Sequence, residues 1–221
     1  ASFCCIMILY REKGKVPLEH YFTNNENLKS ELRKLIYNYE NINFEFFSDN
    51  GVFAKNKIDY ASKLLVESFI KEKRDDKSDR DILDVGCGYG FMGIVIGKVL
   101  NKKVELIDVN KRALHLCERN IKINEVDSKA YESNAYECVK NKYEYIITNP
   151  PIRAGKETVL NILKGARNHL LDNGELWFVI NKDQGAKSTV NSIKSCYNVE
   201  VVAKSKGFFV FKAKINWQIV N

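Results

Sequence analysis

Residues 81–93 read DILDVGCGYGFMG, an apolar run that gives way to four glycines at positions 86, 88, 90 and 93. Ile82, Leu83 and Val85 suit a buried strand, and FMGIVIGKVL (91–100) continues as an apolar helix. Between them the glycines let the chain turn tightly and let a ligand approach the backbone, while the helix that follows presents free N–H groups. A strand, a glycine turn and a helix in that order are the opening unit of an α/β sheet, so the rest of the chain is read outward from here.

Downstream the alternation continues. KVELIDV (103–109) reads as a strand, KRALHLCERNIKIN (111–124) as a helix with Ala113, Leu114, Cys117 and Ile121 inward, and SKAYES (128–133) as a short strand. YEYIITN (143–149) is an apolar strand and ETVLNILKGARNHLL (157–171) a helix, with Asn173-Gly174 as its stop signal. ELWFVIN (175–181) is a strand with Trp177 in the core, STVNSIKSCY (188–197) a helix, and 199–215 a hairpin turning near Lys206-Gly207. Upstream, NFEFFSD (43–49) is a short strand, and Ile58, Ala61, Leu64, Leu65 and Phe69 mark a helix from Lys57 to Lys71. Strands alternating with helices imply a doubly wound, mostly parallel sheet, and the closing hairpin makes its last strand antiparallel. Residues 81–215 form the core of this reading and 18–80 a strand and helix segment of the same domain. Residues 1–17 are an extension outside the fold and 216–221 a tail.

Composition excludes several classes. The chain of 221 residues is 45% hydrophobic and 29% charged, ordinary for a globular domain. Its apolar stretch Phe3–Leu9 has seven residues, too few to cross a bilayer, and lacks the flanks of a signal peptide, so a cytoplasmic protein is expected. Six cysteines, at 4, 5, 87, 117, 138 and 196, form no CxxC pair and have no histidine at ligand spacing, which argues against zinc and against a disulfide framework. The net charge of +7 is uneven: residues 1–151 hold 24 Lys and Arg against 23 Asp and Glu, and residues 152–221 hold 11 against 5. Such a basic C-terminal part suits contact with a polyanion, or is a solvated lysine-rich surface.

The glycine turn has two registers. Gly88-x-Gly90-x-x-Gly93, with Asp108 twenty residues past Gly88, matches a dinucleotide fingerprint. Asp84-x-Gly86-x-Gly88-x-Gly90 instead resembles the first motif of class I S-adenosylmethionine-dependent methyltransferases. That resemblance extends over roughly residues 44–215: Asp108 ends the second core strand, Asn134 follows the third, and Asn149-Pro150-Pro151 follows the fourth, with the antiparallel hairpin last. It implies a seven-stranded sheet and S-adenosyl-L-methionine as cofactor. Asp84 and the backbone of Gly86, Gly88 and Gly90 would surround its methionine part, Asp108 its ribose, and Asn134 its adenine.

The prolines at 150 and 151 are two of three in the chain and stop the strand, since proline carries no N–H for sheet pairing. Asn149-Pro150-Pro151 resembles the motif of methyltransferases that act on planar amines. There the Asn side-chain oxygen and the Pro150 carbonyl accept the N–H groups of an amine whose lone pair is delocalised, and Asn149 also borders the cofactor. The chain departs from most amine-directed relatives at Ile152, where they carry an aromatic; Phe53 or Phe91 is the stacking candidate instead.

Longer pieces (SDNGVFAKNKIDYASKLL, LDVGCGYGFMGI, TNPPIRAGK and GELWFVINKDQGA) resemble the small-subunit ribosomal RNA guanine-N2 methyltransferase C family in a single-domain form. This implies ribosomal RNA or the small ribosomal subunit as partner, no metal, and Gly51, Val52 and Phe53 near the active site. Pro151, Arg153, Lys156 and Lys182 are the further substrate-side candidates, the three cations as phosphate contacts or as solvated charges. Alternatives are a methyltransferase for adenine, a protein glutamine or a small amine, a nicotinamide dehydrogenase, and an RNA-binding domain without activity.

Overall fold

In the computed structural model, residues 28–78 and 81–217 are described; the expected 1–17 extension and the end of the expected tail lie outside them. Nine strands and five α-helices follow one another among these residues. The first two strands, β1 (Arg33–Tyr39) and β2 (Ile42–Ser48), form an antiparallel hairpin with Leu35 opposite Phe46 and Tyr37 opposite Phe44. These four side chains are buried and alternate with less buried neighbours, among them Lys34, Ile36, Asn38 and Glu45, as in a sheet with one wet face. β1 went unpredicted because its charged, alternating sequence is answered by a turn at Glu40-Asn41 without glycine, Glu40 itself taking the left-handed conformation at φ 51°.

A seven-stranded sheet follows, in the order β5 (Ser128–Glu132), β4 (Val104–Asp108), β3 (Ile82–Val85), β6 (Tyr143–Thr148), β7 (Leu170–Asn181), β9 (Phe208–Ile215) and β8 (Tyr197–Ser205). The pairs from β5 to β7 are parallel, and β9 runs antiparallel to both β7 and β8. The expected doubly wound sheet with its antiparallel hairpin strand is therefore the fold found. Successive residues of the central strands face opposite layers, and both layers are buried. Ile82, Tyr145, Ile147, Trp177 and Val179 join one core with α1 (Tyr60–Lys73), α2 (Phe91–Leu100), α3 (Lys111–Asn124) and the small hairpin. Leu83, Val85, Ile146, Leu176 and Phe178 join a second with α4 (Lys156–Gly165) and α5 (Ala186–Ile193). Burial on both faces is why these strands read as unbroken apolar runs.

Two expected boundaries need correction. The helix placed at 157–171 ends at Gly165 and passes through a 3-10 turn, Ala166–His169, into β7. Asn173-Gly174 does not stop a helix; it lies in a bulge of β7, between the pairs Tyr143–Leu170 and Tyr145–Glu175. A Cβ on Gly174 would come within 3.0 Å of the carbonyl oxygens of Tyr143, Glu144 and Leu171, so the bulge needs glycine there. The helix placed at 188–197 is α5, and Tyr197 opens β8 with its hydroxyl donating to the Leu163 carbonyl at 2.8 Å.

The hairpin is held to the larger layer by two asparagines one turn apart on α3. Asn120 accepts the Phe47 N–H (2.7 Å) and donates to the carbonyls of Phe47 (3.0 Å) and Tyr89 (2.8 Å). Asn124 accepts the Glu45 N–H (3.1 Å) and donates to the Glu45 carbonyl (2.8 Å). Their side-chain amides thus pair the outer edge of β2 as a neighbouring strand would. Asn120 is fully buried, so Asn120→Ala strands backbone groups with no water to replace it. The expected loss is roughly 2–4 kcal/mol by denaturant unfolding, since each buried unsatisfied group costs about 1–3 kcal/mol. A loss no larger than that of a surface substitution would show that the amide does not tie the hairpin down.

Candidate active site

The strand order reverses between β3 and β6, the point at which a doubly wound sheet opens a crevice beyond its carboxyl ends. There the turn after Val85 and the segment after Thr148 lie side by side. Asp84 pairs in register with Ile147, and the Thr148 hydroxyl donates to the Val85 carbonyl at 2.8 Å. A narrow cleft at this point is walled by Gly86, Cys87, Gly88, Tyr89, Phe91 and Met92 on one side, Phe53, Ala54, Asp59 and Ser62 on another, and Asn149. The glycine turn, Phe53 and Asn149, singled out in sequence, are thus brought together.

Two carboxylates shape the turn. Asp84, fully buried at the end of β3, accepts the Gly93 N–H at 2.9 Å. A Cβ on Gly93 would sit 2.7 Å from Leu106 and 3.1 Å from that same carboxylate, so only glycine lets α2 approach so closely. Asp108 ends β4 and accepts the N–H groups of Gly88 and Asn110, one on each oxygen, both at 2.8 Å. The Val109 N–H also approaches this carboxylate, whose four lone pairs still leave room for a further donor. Gly86 and Gly88 stand at φ 72° and 57°, and a Cβ on either would meet nothing within 4 Å, so the turn's backbone faces open space.

These bonds separate the two registers. The N–H groups of Gly86 and Cys87 donate to the Ile107 carbonyl and that of Gly90 to the Cys87 carbonyl, while Gly88 is engaged by Asp108. Four of the turn's donors are therefore used inside the protein, and a pyrophosphate would find carboxylates where it needs N–H groups. The Asp59 and Asp108 carboxylates around the turn instead favour a ligand with positive charge, as the sulfonium and ammonium groups of S-adenosyl-L-methionine carry. The buried Asp84 Oδ1 has no hydrogen-bond partner among the described residues. The residues present fit that cofactor.

Asn149 is turned by α1. Its Nδ2 donates to Asp59 Oδ2 at 3.1 Å and to Ser62 Oγ at 2.9 Å. Sequence reasoning missed both partners. IDYAS is readable as a helix cap, but the bond to a residue 90 positions away leaves no local mark. The loop bearing Phe53 is tied to α3 by Asn110, whose side chain donates to the Gly51 carbonyl at 2.8 Å. Other expected residues fall outside the cleft. Asn134 is exposed beyond β5, and its amide donates to Glu137 at 2.8 Å. Pro150 is buried and Pro151 half-buried, while Arg153 lies exposed on a 3-10 turn, Ile152–Ala154. Lys182 borders a shallow groove with Lys187, Ser188 and Asn191, and Lys156 reaches it through a 2.9 Å bond to Ser188. Among the described residues no cluster of His, Cys, Asp or Glu is placed to hold a metal, and no helix is long and apolar enough to cross a membrane.

Burial pushes the Asp84 carboxyl up to about 7; the Gly93 N–H works against that rise and the Asp108 charge adds to it. The folded protein therefore holds a proton that the unfolded chain releases. Stability falls as pH climbs from the ordinary carboxylate value of 3.8 to about 7, and the full cost is present above that. Asp84→Asn, which can still accept from Gly93, should stabilise the protein more at pH 8 than at pH 5, by on the order of 2 kcal/mol. Unfolding curves at the two pH values check this, and a pH-independent difference would contradict it.

Comparisons with known proteins agree with this geometry. Residues 43–212 match the family model described as "Methyltransferase small domain". The chain is 38% identical over 201 residues to "Uncharacterized protein YbxB" of Bacillus subtilis (strain 168), covering 89% of this chain and 98% of that protein. It is 30% identical over 168 residues to "Ribosomal RNA small subunit methyltransferase C" of Photorhabdus laumondii, but spans only 48% of that longer protein. Among solved structures, the T. thermophilus 16S rRNA N2 G1207 methyltransferase (RsmC), in complex with AdoMet and guanosine, superposes with a TM-score of 0.76 at 20% identity. That match covers 86% of this chain and 52% of the other. The chain belongs to the methyltransferase small domain family, and is a class I S-adenosyl-L-methionine-dependent methyltransferase.

Proposed function

We propose that the enzyme methylates the exocyclic N2 amine of a guanine in small-subunit ribosomal RNA, and does so in the cytoplasm. The observation that carries this reading is Asn149 at the cleft, with both amide hydrogens held by α1 and its carbonyl oxygen as the free end. A free carbonyl oxygen accepts from an N–H, and so suits an exocyclic amine and not an unprotonated ring nitrogen or a carbonyl. In this reading Asn149 Oδ1 and the Pro150 carbonyl each accept one N–H of the amine, and the two prolines fix the direction of that carbonyl. The aryl amine's lone pair is thereby aimed into the cleft, and the positive charge that grows on nitrogen meets two oxygens already in place. S-adenosyl-L-methionine, when bound, supplies an electrophilic methyl group on its sulfonium. With that cofactor bound, Asp108 would use its remaining acceptor capacity for the ribose hydroxyls, and Asn134, beyond the neighbouring strand end, would be the residue on the adenine side.

Guanine in ribosomal RNA is supported by the names of the relatives with about 30% identity and by guanosine in the structurally similar enzyme. The basic groove supports it further, because Lys156, Lys182 and Lys187 follow strand ends on the cleft's edge of the sheet, where flanking phosphates would run. Phe53, at the cleft wall, takes the stacking role that Ile152 cannot.

The test is incubation with methyl-labelled cofactor and either free ribosomal RNA or small subunits, followed by digestion to nucleosides. Labelled N2-methylguanosine is expected; label in adenosine, in protein glutamine or in neither would overturn the acceptor. Asn149→Ala should lose turnover by on the order of 10²-fold or more while still binding cofactor. Asp108→Ala should chiefly weaken cofactor affinity, measured by calorimetry, and unchanged affinity would remove it from the site.

A further inference from the structure

Asparagine is an ambiguous residue at a catalytic position. Its amide has a donor end and an acceptor end of nearly the same shape, and a rotation about the last side-chain bond exchanges them. With the acceptor end in the cleft, Asn149 grips an amine; with the donor end there, two N–H groups face each other and the amine is repelled. Something must choose between these states, and the surroundings of Asn149 contain the means.

Both hydrogens of the Asn149 amide are directed at α1. One goes to Asp59 Oδ2 at 3.1 Å and the other to Ser62 Oγ at 2.9 Å. The Ser62 hydroxyl gives its own hydrogen to Asp59 Oδ2 at 3.0 Å, so toward Asn149 the serine has only lone pairs to offer. An ionised carboxylate has nothing but lone pairs. The two residues therefore form a surface that accepts and cannot donate, and the reversed amide would set Oδ1 against a negative charge. No donor among the described residues reaches Oδ1.

We infer that Asp59 and Ser62 are positioning residues for methyl transfer, locking the Asn149 amide with its oxygen toward the amine. This rests on the reading of Asn149 given above and adds the device that makes it work. The carboxylate also polarises the amide it holds, drawing the N–H bonds toward itself and leaving more negative charge on Oδ1, where the attacking nitrogen becomes positive. The lock is rigid because Asp59 is fixed twice. It is the N-cap of α1, accepting the Ser62 N–H at 2.8 Å, and α1 is anchored by Leu65, Val66, Phe69 and Ile70, all fully buried. The sequence Asp59-x-x-Ser62 thus does two things at once: it starts a helix, and it sets the polarity of a side chain that sits on the far side of the glycine turn in sequence.

The cap and the lock can be separated. Asp59→Ser keeps a good helix cap but removes the charge and shortens the reach to Asn149. Ser62→Ala keeps the Asp59 cap and removes one acceptor. In the ribosomal RNA assay, Asp59→Ser should lower kcat on the order of 10²-fold, the size expected when a reacting group is misplaced, with KM for RNA nearly unchanged. Ser62→Ala should lower kcat roughly tenfold, and Asp59→Asn should recover part of the loss, because an amide oxygen can still accept from Asn149. Cofactor affinity, read separately by calorimetry, should stay within about threefold in Ser62→Ala, which leaves the Asp59 charge in place, and kcat in the Asp59 variants is read at saturating cofactor. Combined with Asn149→Ala, either change should add nothing, because the residue it positions is gone. Wild-type kcat in both Asp59→Ser and Ser62→Ala, or losses that multiply with Asn149→Ala, would overturn the inference while leaving Asn149 in its role. Wild-type turnover in Asn149→Ala would instead sink the reading of Asn149 itself. Should Asp59→Ser fail to fold, Ser62→Ala alone and in combination decides the matter, its helix cap being intact.

Discussion

The active end of this protein depends on two carboxylates that hold backbone N–H groups. Asp84 holds the first turn of α2 through Gly93, and Asp108 holds the glycine turn through Gly88. A glycine-rich segment has the largest conformational entropy to lose on folding, so a turn with glycines at 86, 88 and 90 needs such restraints to stay in one shape. Placing carboxyl acceptors at the ends of β3 and β4 ties the turn to the stiffest part of the molecule, and the charged one gives the stronger hydrogen bonds. The stability cost of a buried Asp84 is the other side of that arrangement.

The same bonds decide what the cleft can take. Dinucleotide and methyl-donor enzymes share the strand, glycine turn and helix, and the sequence alone satisfies both patterns. The difference lies in where the N–H groups of the turn point. Here they point inward, to Ile107, Cys87 and Asp108, so the wall of the cleft carries the Asp59 carboxylate and open glycine backbone. A cation suits that wall and a pyrophosphate does not. The acceptor side is built on the opposite logic, because Asn149 turns its donors away and keeps an oxygen free.

Periodicity carried most of the fold into the sequence. The central strands are buried on both faces and the helices have clear apolar stripes, so both were legible. What escaped was set by tertiary packing. β1 is a wet-faced strand whose turn gives little signal, and the bulge at Gly174 imitates a helix stop because glycine serves close backbone contacts as readily as helix ends. At the site, the glycine turn, Asp108 and Asn149 were legible because each ends a strand at one edge of the sheet. Asp59 and Ser62 were not, since a cap looks the same whether or not it also reaches a residue far along the chain. Asn134 was read for an adenine, and in the structure its amide nitrogen donates to Glu137.

Asn120 has one further consequence. It is bonded at once to Phe47 in the hairpin and to the carbonyl of Tyr89 in the glycine turn. Docking of the hairpin on α3 and the shape of the turn are therefore not independent equilibria. A ligand that binds the ordered turn must also favour the docked hairpin, and by reciprocity any molecule that peels the hairpin away must weaken that ligand by the same factor. The small hairpin is in this sense a remote handle on cofactor affinity, reached without touching the cleft.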